Sequence, residues 1–271
     1  MTPPELAPEI TRFYVETIDE ATRLTHSADG QLELIRTQEL LRRYLPPAPA
    51  SVLDVGGGTG VHAAWLTKDG YTVDLIDPVE RHITAARAAG LNAELGDARQ
   101  LAAPDASYDV VLLFGPLYHL LERDERDQAL AEAKRVLKPG GLLAAAAVNR
   151  YASLFEHTSY QHLHTERMQR SIGTILERHF HDGQKAFTKM YFHRGEQLLQ
   201  EVTDAGFERT AVFGIEGPTW AMLKAVEQHT KEPLDVESGL FQSALAAARL
   251  AEPYPELLAA SSHLLAVARK R

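Results

Sequence analysis

Apolar positions along this chain switch between two rhythms. Ile10, Phe13, Tyr14 and Ile18 recur at helical spacing, and "SADG" (27–30) breaks the run. Gln31 to Tyr44 reads as a second helix, with Leu34, Leu41 and Leu45 on one side. "PPAPA" (46–50) ends it, because proline lacks the amide donor and clashes with the turn before it. The pattern then changes. "SVLDV" is a short β-branched apolar run, "GGGTG" a glycine turn, and "VHAAWLTKDG" a helix closed by glycine. "YTVDLID" (71–77), "LNAELGDA" (91–98), "DVVLLFG" (109–115) and "LLAAAAV" (142–148) continue as strands, with amphipathic helices after the first and third of these four.

Apolar strands alternating with helices predict a parallel sheet buried on both faces. Regularity lapses from Asn149 to His193 and resumes with a helix at 195–207 and the strand "ERTAVFGI". Residues 217–260 read as a helical excursion, and "HLLAVARK" (263–270) as a last strand. The expectation is an α/β fold: a Rossmann-like, doubly wound, mostly parallel seven-stranded sheet with helical cap elements. Four regions follow: a helical arm or lid (1–48), a core (49–148), a helical insert (149–193), and the completion of the core (194–271) with a second insert at about 217–260. The inserts are expected over the carboxyl ends of the strands, where open α/β sheets bind ligands.

Composition narrows the chemistry. The absence of cysteine excludes disulfides, thiolate metal sites and a cysteine nucleophile. A net charge of −9 disfavours nucleic acid as a partner, since the basic clusters are no longer than "LLRRYL" and "ARKR". "MTPPELAPEI" lacks a signal-peptide profile, and the longest apolar stretch (110–121) is too short to span a bilayer. A cytoplasmic protein without membrane contact, monomeric or homodimeric, is expected.

A glycine turn between a buried strand and a helix lets a ligand lie against bare backbone at the helix N-terminus. Here Gly56, Gly58 and Gly60 follow Asp54, and Val61 stands where a dinucleotide fingerprint has its third glycine. Asp77 ends the second strand, placed to accept ribose hydroxyls, and Gly96-Asp97-Ala98 ends the third, placed to meet an adenine amino group. "VLDVGGGTG", "VDLIDP", "GDA", "YDVVLLFGPLYHL" and "RVLKPGGLL", in this order, resemble the class I S-adenosylmethionine-dependent methyltransferases of the small-molecule, ubiquinone-biosynthesis-like type.

The resemblance covers about residues 50–150 well, and 190–215 and the last strand more loosely. It implies S-adenosylmethionine as cofactor, released as S-adenosylhomocysteine, and a small organic methyl acceptor. Gly56, Gly58 and Gly60 would pass the methionine part, with Asp54 bracing the loop. Asp77 would bind the ribose, with Pro78 beside the adenine and Asp97 and Ala98 holding its edge. Phe114 and Gly115 would lie beside the sulfonium. Tyr14 and Arg36 would approach the cofactor from the arm, each with a plainer reading as packing or a surface ion pair.

Direct displacement from a sulfonium needs alignment, exclusion of water and often a base. His119 is a candidate base after the fourth strand, and Tyr118 a wall residue. His193 and Trp220 are candidates for the acceptor side, or for a helix flank and core packing. "HTSYQHLHTERMQRSIGTILERHFHDG" (157–183) carries five histidines. A metal is not expected there, because His162 and His164, two apart, point to nearly opposite faces of a helix. A lid helix is expected, with His157, Tyr160 or His164 turned toward the acceptor. His26, His62, His82, His229 and His263 show no partner pattern and read as structural or exposed. The rival readings are a nicotinamide-dependent oxidoreductase and a catalytically silent partner protein of the same fold.

Overall fold

The computed structural model describes residues 22–182 and 189–271. Helices α1 (Arg23–His26) and α2 (Ala28–Arg42) lead in, with the Ser27 hydroxyl accepting from the Gly30 amide to cap the second. Strand β1 (Ser51–Val55), α3 (Val61–Lys68), β2 (Thr72–Asp77), α4 (Glu80–Ala88) and β3 (Asn92–Leu95) form two successive strand–helix–strand turns. Next come β4 (Tyr108–Leu113), the short α5 (Pro116–His119), α6 (Arg123–Val136) and β5 (Leu137–Val148).

The insert comprises α7 (Ala152–Ser159), α8 (Glu166–Arg178) and an antiparallel pair, β6 (Phe180–Asp182) with β7 (Lys189–Tyr191). The chain closes with α9 (Gly195–Asp204), β8 (Phe207–Gly214), α10 (Trp220–Thr230), α11 (Gly239–Ala251), a 3₁₀ turn (Pro255–Ala260) and β9 (His263–Lys270). The antiparallel pair replaces helix at one end of the insert. His179 ends α8 in the left-handed conformation, with φ of 72°, and turns the chain into β6.

Seven strands form one sheet in the order β3-β2-β1-β4-β5-β9-β8. The first five run parallel, and β9 runs antiparallel to both neighbours. Side chains alternate between the faces. Leu53, Val55, Val111, Leu113, Leu143 and Ala145 join α6 and α9 in one core. Val52, Val110, Leu112, Leu142 and Ala144 join Leu40, Leu41, Trp65, Leu66 and Ile83 in the other. Covering both faces removes the central strands from water, which is why β4 and the second half of β5 read as unbroken apolar runs. Among the described residues no helix is long and apolar enough to cross a membrane. The topology brings the ends of β1, β2, β3, β4 and β5 and the start of β9 to one edge of the sheet.

Candidate active site

Between β1 and α3 the backbone takes left-handed conformations at Gly56, Gly58 and Gly60, with φ of +74°, +56° and +93°. At Gly60 a Cβ would lie 2.1 Å from Leu91 Cδ1, so any side chain there collides with the core under the loop. At Gly58 a Cβ would meet nothing within 4 Å, because its bare face opens on a cavity. This cavity extends across the top of the sheet, with about 1210 Å³ of empty space when its open mouth is included.

One end of the cavity is defined by the strand-end carboxylates. Asp77 is buried and fixed on three sides: it accepts from the Gly58 amide, the Val79 amide and His82 Nδ1, each at 2.9 Å. The glycine loop and the start of α4 are therefore tied to one carboxylate. Asp97 and Ala98 line the same end. The Arg99 guanidinium donates to both oxygens of Asp97, at 3.0 and 2.7 Å, and also pairs with Glu125. Pro78 and Val79 complete this wall.

Asp54 lies beneath the loop rather than on the cavity surface. It is fully buried, and among the described residues its carboxylate oxygens have no hydrogen bond of good geometry, the Ala63 backbone giving only weak support. Burial pushes its carboxyl up to about 7, and the charge of Asp77 adds to that push. The loop therefore rests on a group that readily holds a proton near neutral pH.

The exit of β4 forms the middle of the cavity. Phe114, Gly115, Tyr118 and His119 line it, with Gly115 at φ of 147°. His62 packs edge-on against Phe114, ring centroids 4.9 Å apart. Burial depresses the His119 imidazole to about 4, although a hydrogen bond with the Lys189 backbone opposes the shift. The loop after α5 is pinned from below. Arg126 Nη1 donates to the carbonyls of Leu120 and Leu121, and its guanidinium forms a fork with Glu201 at 2.9 Å on both bonds.

The opposite end carries groups from distant parts of the chain: Arg23 and Glu33 from α1 and α2, His62 from α3, and His263 at the start of β9. Arg23 forks onto Glu33 at 2.9 and 3.2 Å. Burial works against the Glu33 charge, but Arg23 and His263 outweigh it and hold the carboxyl down at about 2. His62 Nδ1 accepts from Trp65 Nε1 at 3.2 Å, and burial holds its ring at about 4, hence neutral.

Several residues singled out by the sequence lie elsewhere. Arg36 does not reach the cavity; it is fully buried between α2 and α11, paired with Glu39 and, at 2.7 Å, with Glu252. Trp220 packs with Leu32, Leu223 and Phe241, and its indole donates to the Ala260 carbonyl. His193 is fully buried below the site, where its Nε2 faces Glu201 at 3.2 Å.

Within the insert, β7 reaches His119 through the Lys189 backbone, but the histidine-rich segment around α7 does not line the cavity. His157 stacks on His162, with Nδ1 atoms 3.3 Å apart, and Tyr160 lies 5.4 Å from Lys224 Nζ. Lys224 also pairs with Asp29 and Glu156, which docks α7 onto α10 and α2. The His164 side chain bonds back to the Gln161 carbonyl and is exposed. His157, His164 and Tyr160 therefore do not line the cavity. Tyr14 falls outside the described residues. Conversely, His62, His82 and His263 line the cavity although nothing around them in sequence marked them. Trp65, the partner of His62, lies three residues away at helix spacing and Asp77, the partner of His82, five residues back at the end of β2, whereas Glu216, whose carboxylate meets His263 Nδ1, lies 47 residues away.

Residues 53–145 match the methyltransferase domain family. The methyltransferase GfsG of Streptomyces halstedii is 36% identical over 121 residues, covering 41% of this chain and 42% of that protein. The S-adenosyl-L-methionine-dependent Diels-Alderase iccD of Talaromyces variabilis is 31% identical over 187 residues, covering 64% of this chain and 59% of that protein. The chain thus matches less than two thirds of the length of either relative. Among solved structures, a Thermotoga maritima SAM-dependent methyltransferase, described as a possible histamine N-methyltransferase, shares the fold. Its TM-score is 0.59 at 20% identity, and the match covers 97% of this chain and 99% of that one. The matched domain holds the glycine turn and the strand-end carboxylates, and over that segment the chain is similar to class I S-adenosylmethionine-dependent methyltransferases.

Proposed function

We propose that this protein is a methyltransferase that uses S-adenosylmethionine to methylate a small organic molecule by direct displacement. One observation carries the reading: a single cavity joins a glycine-and-carboxylate end to a separate polar end across the β4 exit. The first end fits an adenosine with an amino-acid tail. Asp77 offers fixed acceptor oxygens for ribose hydroxyls, Asp97 and Ala98 edge the space for adenine beside Pro78, and the open face of Gly58 admits the tail. When bound, S-adenosylmethionine supplies a methyl group already activated on a sulfonium.

The chain's own tasks are then to orient and to exclude water. Phe114 and Gly115 flank the transfer point, and Tyr118 and His119 wall it. Arg126 and Glu201 hold those walls in place through the carbonyls of Leu120 and Leu121. His119 suits a wall better than a base, because a ring held near 4 takes up a proton weakly. The helical arm closes the far end through Arg23 and Glu33. The net charge of −9 supports a small acceptor over a nucleic acid.

A thermal-shift comparison of S-adenosylhomocysteine with NAD tests the cofactor, and selective stabilisation by NAD would overturn the reading. The resemblance to a protein named as a Diels-Alderase favours a second reading, in which the same cavity binds the cofactor but transfers no methyl group. Product analysis separates the two. The methyltransferase reading requires one S-adenosylhomocysteine for each product molecule, whereas an isomerised product with S-adenosylmethionine intact supports the second.

A further inference from the structure

We infer that His263, clamped between Glu216 and Glu33, is the hydrogen-bond donor that positions the methyl acceptor, and that the acceptor is an uncharged molecule presenting a carbonyl oxygen to it. The inference rests on the methyltransferase reading. Because β9 runs antiparallel to β5, its first residue lies beside Val148, at the edge of the sheet where the parallel strands end. Two strand spacings separate β9 from β4, on the order of 10 Å at the usual distance between neighbours. His263 therefore stands across the cavity from the proposed transfer point, on the side away from Asp77 and Asp97.

The ring is held at one nitrogen and open at the other. Its Nδ1–H donates to Glu216 Oε1, and Glu33 lies 3.6 Å from the same nitrogen. Glu216 is itself fixed, accepting from the Ser261 hydroxyl at 2.8 Å and from the His263 amide at 2.9 Å. Ser261 in turn accepts from the amides of Glu216 and Gly217. Turning the ring would take its donor from a buried carboxylate, so its orientation is set by the fold. Nε2 makes no hydrogen bond among the described residues and is not closed off, for the side chain is 22% exposed where it lines the cavity. A polar group aimed in advance spares a ligand part of the ordering cost of binding.

Two carboxylates beside one imidazole keep it protonated, so Nε2 also carries a hydrogen. Burial opposes that charge, but Glu33 and Glu216 outweigh it and raise the ring to about 9. At neutral pH His263 is therefore a donor and not a base. Of the groups around it, Arg23 of α1 pairs with Glu33, and burial keeps His62 of α3 and His119 of α5 neutral. The described charges at this end, Arg23 and His263 against Glu33 and Glu216, cancel.

That cancellation selects the ligand. A carboxylate would be driven against Glu33, and an ammonium against Arg23 and the imidazolium. An uncharged oxygen meets neither penalty and gains a charge-assisted hydrogen bond. A hydroxyl would bring a proton of its own, and the carboxylates that could accept it are already engaged by Arg23 and Ser261. A carbonyl oxygen only accepts, which matches a site that offers one donor. Leu24, Phe114, Ala146 and Ile215 line the same cavity and give the rest of the molecule apolar contact. The carbonyl is the handle, and the atom that receives the methyl group lies elsewhere on the acceptor, turned toward Phe114 and Gly115.

Acetophenone is the test probe, bound to protein loaded with S-adenosylhomocysteine, with benzoate and benzylamine as charged probes of similar size. Calorimetry should rank acetophenone about tenfold or more tighter than either. Infrared difference spectra should show its carbonyl stretch at lower frequency when bound, the signature of a donated hydrogen bond. His263→Ala should abolish that shift and weaken acetophenone about tenfold, while S-adenosylhomocysteine affinity stays within about twofold. In the wild type the shift should persist up to pH near 9 and fade above it, as Nε2 loses its hydrogen, and in Glu216→Gln it should fade at lower pH. A carbonyl stretch that is the same in wild type and His263→Ala, tighter binding of benzoate or benzylamine, or no binding of acetophenone to the loaded protein would overturn the inference. Failure of the wild-type protein to bind S-adenosylhomocysteine would instead overturn the methyltransferase reading.

Discussion

The two ends of the cavity are built by different means. At the carboxylate end, Asp77, Asp97 and the glycine loop each follow a parallel strand directly, so contiguous segments carry the side chains to one edge. At the histidine end, Arg23, Glu33, His62 and His263 come from four separate elements and Glu216 from the loop after β8, and they meet only when the antiparallel β9 is in place. The first arrangement needs little beyond strand, turn and helix. The second needs the whole sheet and the N-terminal helices.

Gly60→Val should have the largest effect. It forces a branched side chain into a left-handed conformation and against Leu91, and should cost stability on the order of 3 kcal/mol in chemical denaturation. Asp77→Ala comes next. Charge-assisted hydrogen bonds are worth about 1.5–3 kcal/mol each, so calorimetry should show affinity for S-adenosylhomocysteine falling by roughly 10²-fold. A loss of less than about threefold would mean that Asp77 only braces the loop.

At the histidine end the expected effect depends on pH. The folded His263 ring lies near 9 against an ordinary 6.5, so the folded state binds the extra proton. The stability this contributes is complete below 6.5 and is lost as pH rises through 9, and Glu216→Gln should flatten that decline in melting temperature. Glu33 behaves oppositely: held at about 2 against 4.5, it stabilises above 4.5 and loses its contribution as pH falls toward 2. The smallest effect belongs to the histidine-rich insert. His164→Ala and His157→Ala should leave S-adenosylhomocysteine affinity and methyl transfer within about twofold, since neither side chain reaches the cavity. A loss of transfer greater than about tenfold in His164→Ala would mean that the insert closes over the acceptor.

The same contrast explains what could be read from the sequence. The strands and the mostly parallel character of the sheet follow from short apolar segments alternating with helices, although the antiparallel course of β9 does not, and the placing of Asp77, Asp97, Phe114 and Gly115 at the cavity follows from their adjacency to strand ends. Arg36 misled because a lone arginine on a helix gives no sign of the two carboxylates, Glu39 and the distant Glu252, that bury it. His157, Tyr160 and His164 misled because clustering in sequence suggested a lid. Lys224 and Asp29, which hold α7 against the outer helices, give no signal near them. His263 was hidden for the same reason, since Glu216 lies across a helical excursion and is recognisable as its partner only when β8 and β9 are paired.

Calorimetric titration of S-adenosylhomocysteine into the wild-type protein, Asp77→Ala and His263→Ala tests most directly whether the cavity has two functional ends. The expected result is tight binding to the wild type, a loss of tenfold or more in Asp77→Ala, and a change of no more than about twofold in His263→Ala. Equal losses in both variants, or none in Asp77→Ala, would contradict the division of the cavity into a cofactor end and an acceptor end.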